Sequence, residues 1–132
     1  MVKQLAAGNS PVVVRPAMTY HDVGKFINVP WHIYADDPMW VPPLRLERRF
    51  HLSHFNPYSK HGDWQLWVAY RDGQPVGRIS AQIDKLHRER YGFDAGHFGF
   101  MECIDDVQVF ASLMLHAEAW LAARGIRHVT GP

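Results

Sequence analysis

Cysteine is almost absent from this chain of 132 residues: Cys103 stands alone, so no disulfide can form within it, and a small scaffold held by disulfides or a Cys-rich metal site is excluded. An excess of either charge is lacking too. Fourteen Lys and Arg against thirteen Asp and Glu leave a formal net charge of +1, which offers no electrostatic footprint for nucleic acid or an anionic membrane as the main partner. No apolar run approaches the ~18 residues of a membrane-spanning helix. The opening MVKQLAAGNSPVVV carries one lysine and too short an apolar stretch for a secretory signal. These absences lead to the expectation of a soluble, cytoplasmic protein that binds neither nucleic acid nor membrane. Internal repeats and low-complexity tracts are missing as well.

What is present is enough for one core. Hydrophobic residues make up 47% of the chain, with seven Phe, five Tyr and five Trp among them, so a disordered tail is excluded and a single domain over 1–132 is expected. After a flexible start over 1–10, Val12 to Arg15 reads as a strand closed by Pro16, which cannot donate to a ladder. Helices are expected over 19–51. Thr19 and Asp22 form a capping box ahead of Val23, Phe26 and Ile27; Pro30 interrupts the pattern; and Leu44 to His51 reads as a further short helix.

The strongest local signal is DWQLWVAYRDGQPVGRISAQID, in which two alternating runs flank Asp72-Gly73, a pair that marks a tight hairpin. Trp64, Leu66, Val68 and Tyr70 share one face; Gly77, Ile79, Ala81 and Ile83 share a face of the second run. The run His97 to Glu102 extends the pair to a three-stranded antiparallel meander over 64–102. A main helix is expected over 106–124, with Asp105 and Gln108 as capping box and Val107, Phe110, Leu113, Met114, Ala117, Trp120 and Leu121 as the inward stripe. Gly125 ends it, and 126–132 opens another strand.

Candidate chemistry is sparse. His51, His54 and His61 crowd into eleven residues, but no carboxylate or cysteine completes a metal set at a familiar spacing, so loop histidines are the simpler account and no metal is expected. Cys103 and His97, six apart on a strand, would lie about 20 Å from each other and cannot form a nucleophile and base. Cys103 reads as a small buried filler. Glu102, at a strand end, has the chemistry of a general base. Tyr58, Tyr70 and Tyr91 have that of a proton donor. Trp67 points away from Trp64, toward a groove or contact surface. The runs RLERRF and HRERY read as solvated faces.

The order strand, helices, meander, long helix and new strand resembles the first two-thirds of the GCN5-related N-acetyltransferase fold, an α+β architecture. The stretches VPWHIYADDPMWVPPL, NPYSKH, VAYRDGQPVGRISAQID, HFGFMECIDD and AEAWLAARGIRHVTGP resemble one bacterial branch of that family, from Phe26 to Pro132. The resemblance implies acetyl transfer from acetyl-CoA to an amine, and a chain that continues past Gly131-Pro132, so the C-terminal part of the fold is expected to be missing. It also implies a coenzyme pyrophosphate on backbone amides at the start of the main helix, at Ile104, Asp105, Asp106 and Val107, through a loop patterned Gln/Arg-x-x-Gly-x-Gly/Ala. Here that loop has no glycine and three acids, Glu102, Asp105 and Asp106, which repel a phosphate and cap the helix themselves. Two readings follow: an N-acyltransferase segment with Glu102 as base, and a non-catalytic truncated or degenerate module that folds with a missing partner segment or self-associates along the unfinished sheet edge as a homo-oligomer.

Overall fold

The computed structural model describes residues 10–42, 45, 62–84 and 95–131. Its elements in chain order are β1 (Val13–Pro16), α1 (Tyr20–Ile33), β2 (Gly62–Arg71), β3 (Gln74–Asp84), β4 (Ala95–Cys103), α2 (Val107–Ala123) and β5 (His128–Thr130). They build one five-stranded sheet in the order β1-β2-β3-β4-β5. The β1/β2, β2/β3 and β3/β4 pairs are antiparallel, and β5 lies parallel to β4 after the α2 crossover, as the sequence leads one to expect.

The hairpin turns where its sequence requires. Asp72 and Gly73 have φ of 52° and 76°, the two positive values that a type I′ turn needs and that Asp and Gly tolerate best. Alternation then sorts the sheet into two faces. Trp67, Ala69, Val76, Ile79, Ala81 and Ile83 pack under α2, against Val109, Leu113, Ala117 and Leu121. Leu66 and Val68 pack under α1, against Phe26, Ile27 and Val29, with Trp64 and Tyr70 beside them. Each Val, Leu, Ile or Phe among them fully removed from water contributes roughly 1.5–3 kcal/mol. Trp67 is therefore core, edge-on to Trp120 at 6.2 Å, and lines no groove.

Three expectations are corrected. Pro30 does not interrupt the first helix: α1 runs from Tyr20 through Pro30 to Ile33, after the expected Thr19–Asp22 capping box. A proline at this position leaves the carbonyl four residues back without its helical partner, and the Arg78 guanidinium supplies the missing donor, Nη1 to Phe26 O at 3.1 Å. The N-cap of α2 is Asp106, not Asp105, its carboxylate accepting from Gln108 N at 2.9 Å. The buried stripe of α2 is Val109, Leu113, Ala117 and Leu121, so Val107 and Phe110 face outward, 78% and 48% exposed. This helix is apolar nearly all round, so periodicity alone left its inward face open.

Among the described residues no helix is long and apolar enough to cross a membrane. The short helix at 44–51, His51, His54, His61, Tyr58 and Tyr91 fall outside the described residues, apart from helical Arg45.

Candidate functional site

One irregularity in β4 decides where its chemistry points. Arg78 pairs with Glu102 and Ser80 with Gly99, so Phe100 and Met101 together stand opposite Ile79 as a bulge. An inserted residue flips every side chain after it to the other face. Strict alternation from His97 would send Glu102 toward α2. The bulge sends it toward α1 instead, on the face of its cross-strand partner Arg78. Phe100 carries the cost, with φ of 50° in the left-handed region, on the order of 1–2 kcal/mol for a residue with a Cβ. Packing holds it there: its ring meets Phe26 edge-on at 5.8 Å, and Arg78 lies 5.3 Å over it while donating from Nε to Phe100 O at 3.2 Å.

Glu102 there accepts a hydrogen bond from the hydroxyl of Tyr34, the residue that ends α1. The carboxylate partner, helped by burial, pushes the Tyr34 phenol up to about 12. Tyr34 thus stays protonated through the whole neutral range and fixes one oxygen of Glu102. Around this pair Tyr34 stacks on Trp40 at 5.5 Å, and Trp40 meets Trp31 edge-on at 5.3 Å. Replacement of Glu102 by Gln is expected to bring the Tyr34 titration back toward the ordinary tyrosine value near 10, read from the phenolate absorbance of wild type and variant. A phenol still titrating near 12 in the Gln variant would refute the pairing. In the wild type the raised value gives stability that is complete below pH ~10 and lost as pH climbs toward 12.

The other sequence candidates separate. Cys103 lies on the opposite face from Glu102, half-buried against the α2 side, where burial and then Asp106 and Glu102 push its thiol up. It is no activated nucleophile. Because of the bulge, His97 and Cys103 do not even share a face. Tyr70 belongs to the α1-side core, and burial, with Asp22, raises its phenol. The coenzyme loop expected at the helix start is closed from within. Ile104 packs on the core and donates to Val76 O at 3.0 Å, Asp105 is exposed, and Val107 points to solvent. Asp106 pairs with Arg71, which is buried beneath it, and occupies the Gln108 amide; those contacts hold its carboxyl below the usual carboxylate range. This corrects the repulsion argument in part, since Arg71 offsets the Asp106 charge. The occupied amide remains, and the arrangement does not fit a pyrophosphate. A cleft of about 380 Å³ between β1, α1 and the hairpin turn, lined by Arg15, Lys25 and Tyr70 among others, shares no residue with the Glu102 group.

Similar architectures are found among solved acetyltransferases. A tandem GNAT protein from the clavulanic acid biosynthesis pathway superposes with a TM-score of 0.70 at 15% identity, over 92% of this chain and 36% of that one. AAC(6')-Iy in complex with the bisubstrate analog CoA-S-monomethyl-acetylneamine gives 0.62 at 16% identity, over 93% of this chain and 80% of that one. The fold is that of the GCN5-related N-acetyltransferases. In sequence the chain is 54% identical to protein YghO of Escherichia coli strain K12 over 120 residues, covering 91% of this chain and 31% of the relative. It is 43% identical over 126 residues to the bacterial ceramide synthase of Caulobacter vibrioides, covering 94% of this chain and 33% of that protein. The chain thus spans about a third of the length of the curated relatives it matches. No protein-family model matches it.

Proposed function

We propose that this GNAT-fold chain is the acceptor side of an N-acyltransferase, in which Glu102 takes the proton of an amine as the amine attacks an acyl thioester. In that reaction the new C–N bond forms and the C–S bond breaks. The amine proton leaves to a base and the thiolate takes one up, and acetyl-CoA is the donor that the fold suggests. The observation that carries the reading is the Tyr34–Glu102 pair, turned by the bulge to the end of β4. Tyr34, protonated and bound to one oxygen, holds the half-buried carboxylate in place, and a carboxylate so held accepts a proton directly or through one water. The ceramide synthase relative supports an amide product on a lipid-sized amine.

A second reading, a non-catalytic module, is favoured by the closed start of α2, where Asp106, Gln108 and Arg71 satisfy one another. In that case the chain self-associates along the outer edge of β5 as a homo-oligomer, and light scattering shows more than a monomer.

Two measurements decide. Calorimetry is expected to find acetyl-CoA binding no tighter than about millimolar, for want of free amides at the helix start; micromolar binding would show a donor site elsewhere. At millimolar acetyl-CoA, amide formation on a primary amine should fall roughly a hundredfold or more in the Glu102→Gln variant. Wild-type chain that forms no amide under those conditions leaves the second reading standing.

A further inference from the structure

The cleft between β1, α1 and the hairpin turn holds charges that the fold does not use. Strand register builds its floor: Val13 pairs with Tyr70 and Arg15 with Val68, so these four side chains stand on the α1 face of the sheet, at its β1 edge. The first two turns of α1 bring Asp22 and Lys25, three apart and so on one side of the helix, over that floor, and Asp72 and Gly73 close the end. The resulting volume, about 380 Å³, suits a small molecule.

The walls divide by chemistry. Val13, Pro16, Ala17 and Val68 make an apolar side. The charged groups converge on Tyr70: Lys25 Nζ lies 5.5 Å over its ring, and its phenol, raised by burial, is raised further by Asp22 and lowered by Arg15. Among the described residues Arg15 and Lys25 have no ion-pair partner. Asp22 stays ionised at neutral pH, because its bonds to Thr19 hold its carboxyl below the usual carboxylate range. Two cations and two carboxylates, Asp22 and Asp72, nearly cancel for a ligand of single charge and complement one that carries both signs.

The geometry points to a binding site for a small zwitterion, an α-amino acid with an apolar side chain. Its carboxylate goes to Arg15 and Lys25, with the Tyr70 hydroxyl as a third donor. Its ammonium goes to Asp22 and Asp72, and its side chain lies against Val13 and Pro16. A simple anion would meet the two carboxylates and a simple amine the two cations. The site is separate from the Glu102 group and does not rest on acyl transfer.

The test titrates the intact chain with L-leucine, with 4-methylpentanoate, which lacks the ammonium, and with isoamylamine, which lacks the carboxylate, and follows backbone amide shifts by NMR. Leucine is expected to bind at about millimolar or tighter and to move the amides around Tyr70 and Gly73. Each of the two analogues should bind at least about tenfold more weakly, for loss of its charge-assisted bonds, and glycine should be weaker by about the same factor, for want of apolar contact. Arg15→Gln, an exposed position on the edge strand, should weaken leucine about fivefold and leave isoamylamine no weaker. Asp72→Asn keeps a residue that tolerates the positive φ of the turn, so the fold stands; it should weaken leucine by about the same factor and leave 4-methylpentanoate no weaker. Glu102→Gln should leave leucine binding as it is. Either analogue binding as tightly as leucine, no shift at 10 mM leucine, on the order of ten times the expected Kd, or full affinity in both cleft variants overturns the site.

Discussion

Replacement of Arg71 by alanine will cost the fold about 3 kcal/mol or more, a large share of the stability of a domain this size. The side chain is fully buried at the end of β2 and joins three parts of the molecule. Its Nε donates to Ser10 O at 2.9 Å ahead of β1, Nη1 to the Asp106 carboxylate that caps α2, and Nη2 to Gln108 Oε1 at 3.2 Å. Alanine removes all three donors and opens a void, leaving the Asp106 carboxylate to the backbone amides of the helix start. Lysine restores charge but not the planar fork, so it should recover less than half of the loss. Urea denaturation followed by circular dichroism measures both. The pH dependence carries the same contact. Asp106 has its carboxyl held below the ordinary range by Arg71 first and the Gln108 amide next, so its contribution is present above the unfolded carboxylate value and is lost as pH falls through the lower folded one. In the alanine variant the acid limb should move up toward pH ~4. Unchanged denaturation midpoints and an unchanged acid limb would show that Arg71 is a bystander.

The parts of the fold that local chemistry dictates were legible in the residues. Asp72-Gly73 between alternating runs admits little but a tight hairpin, Thr19 with Asp22 announces a helix start, and Gly125, with φ of 78°, marks where α2 must end. The site was legible only as Glu102, a carboxylate at a strand end, and not in its orientation: alternation counted from His97 places that carboxylate on the wrong face. An inserted residue leaves no trace in hydrophobic period. Its one available signal is Gly99, a glycine inside a strand pattern, which often marks a bulge. Tyr34 gave no signal, because its partner lies 68 positions away and only the packing of α1 on the sheet joins them. The orientation of α2 was hidden by excess rather than lack. Val107, Phe110, Met114 and Leu115 are as apolar as the stripe that is buried, and the choice falls to Gly77. There a Cβ would come within 2.8 Å of Leu113 Cδ1 and 2.9 Å of Cys103 Cβ, so the missing side chain lets that helix face settle on β3.

Arg78 provides the second large effect, and a way to see its cause. Its guanidinium is buried between Phe26 and Phe100, 5.0 Å and 5.3 Å over their rings, and donates to the carbonyl of each. The Phe26 carbonyl needs that donor because Pro30, four residues on, has no N–H to give. Arg78→Met keeps much of the stem volume and removes both hydrogen bonds. The expected cost is about 3 kcal/mol, since a buried acceptor left without a partner costs roughly 1–3 kcal/mol and two are affected. Pro30→Ala supplies a helical N–H to Phe26 O. In the wild type that amide competes with Arg78 for an acceptor already served; in the Arg78→Met background it fills the vacancy. The double-mutant cycle should therefore show Pro30→Ala helping the Met variant by at least about 1 kcal/mol more than it helps the wild type. The general gain in helix propensity from removing proline is common to both backgrounds and cancels. Pro30→Ala gives nothing to the Phe100 carbonyl, so rescue should be partial, and the Tyr34 titration should shift along with stability because the Phe100 bulge turns Glu102 toward it. Equal effects of Pro30→Ala in the two backgrounds would mean that Arg78 does not stand in for the amide that proline lacks.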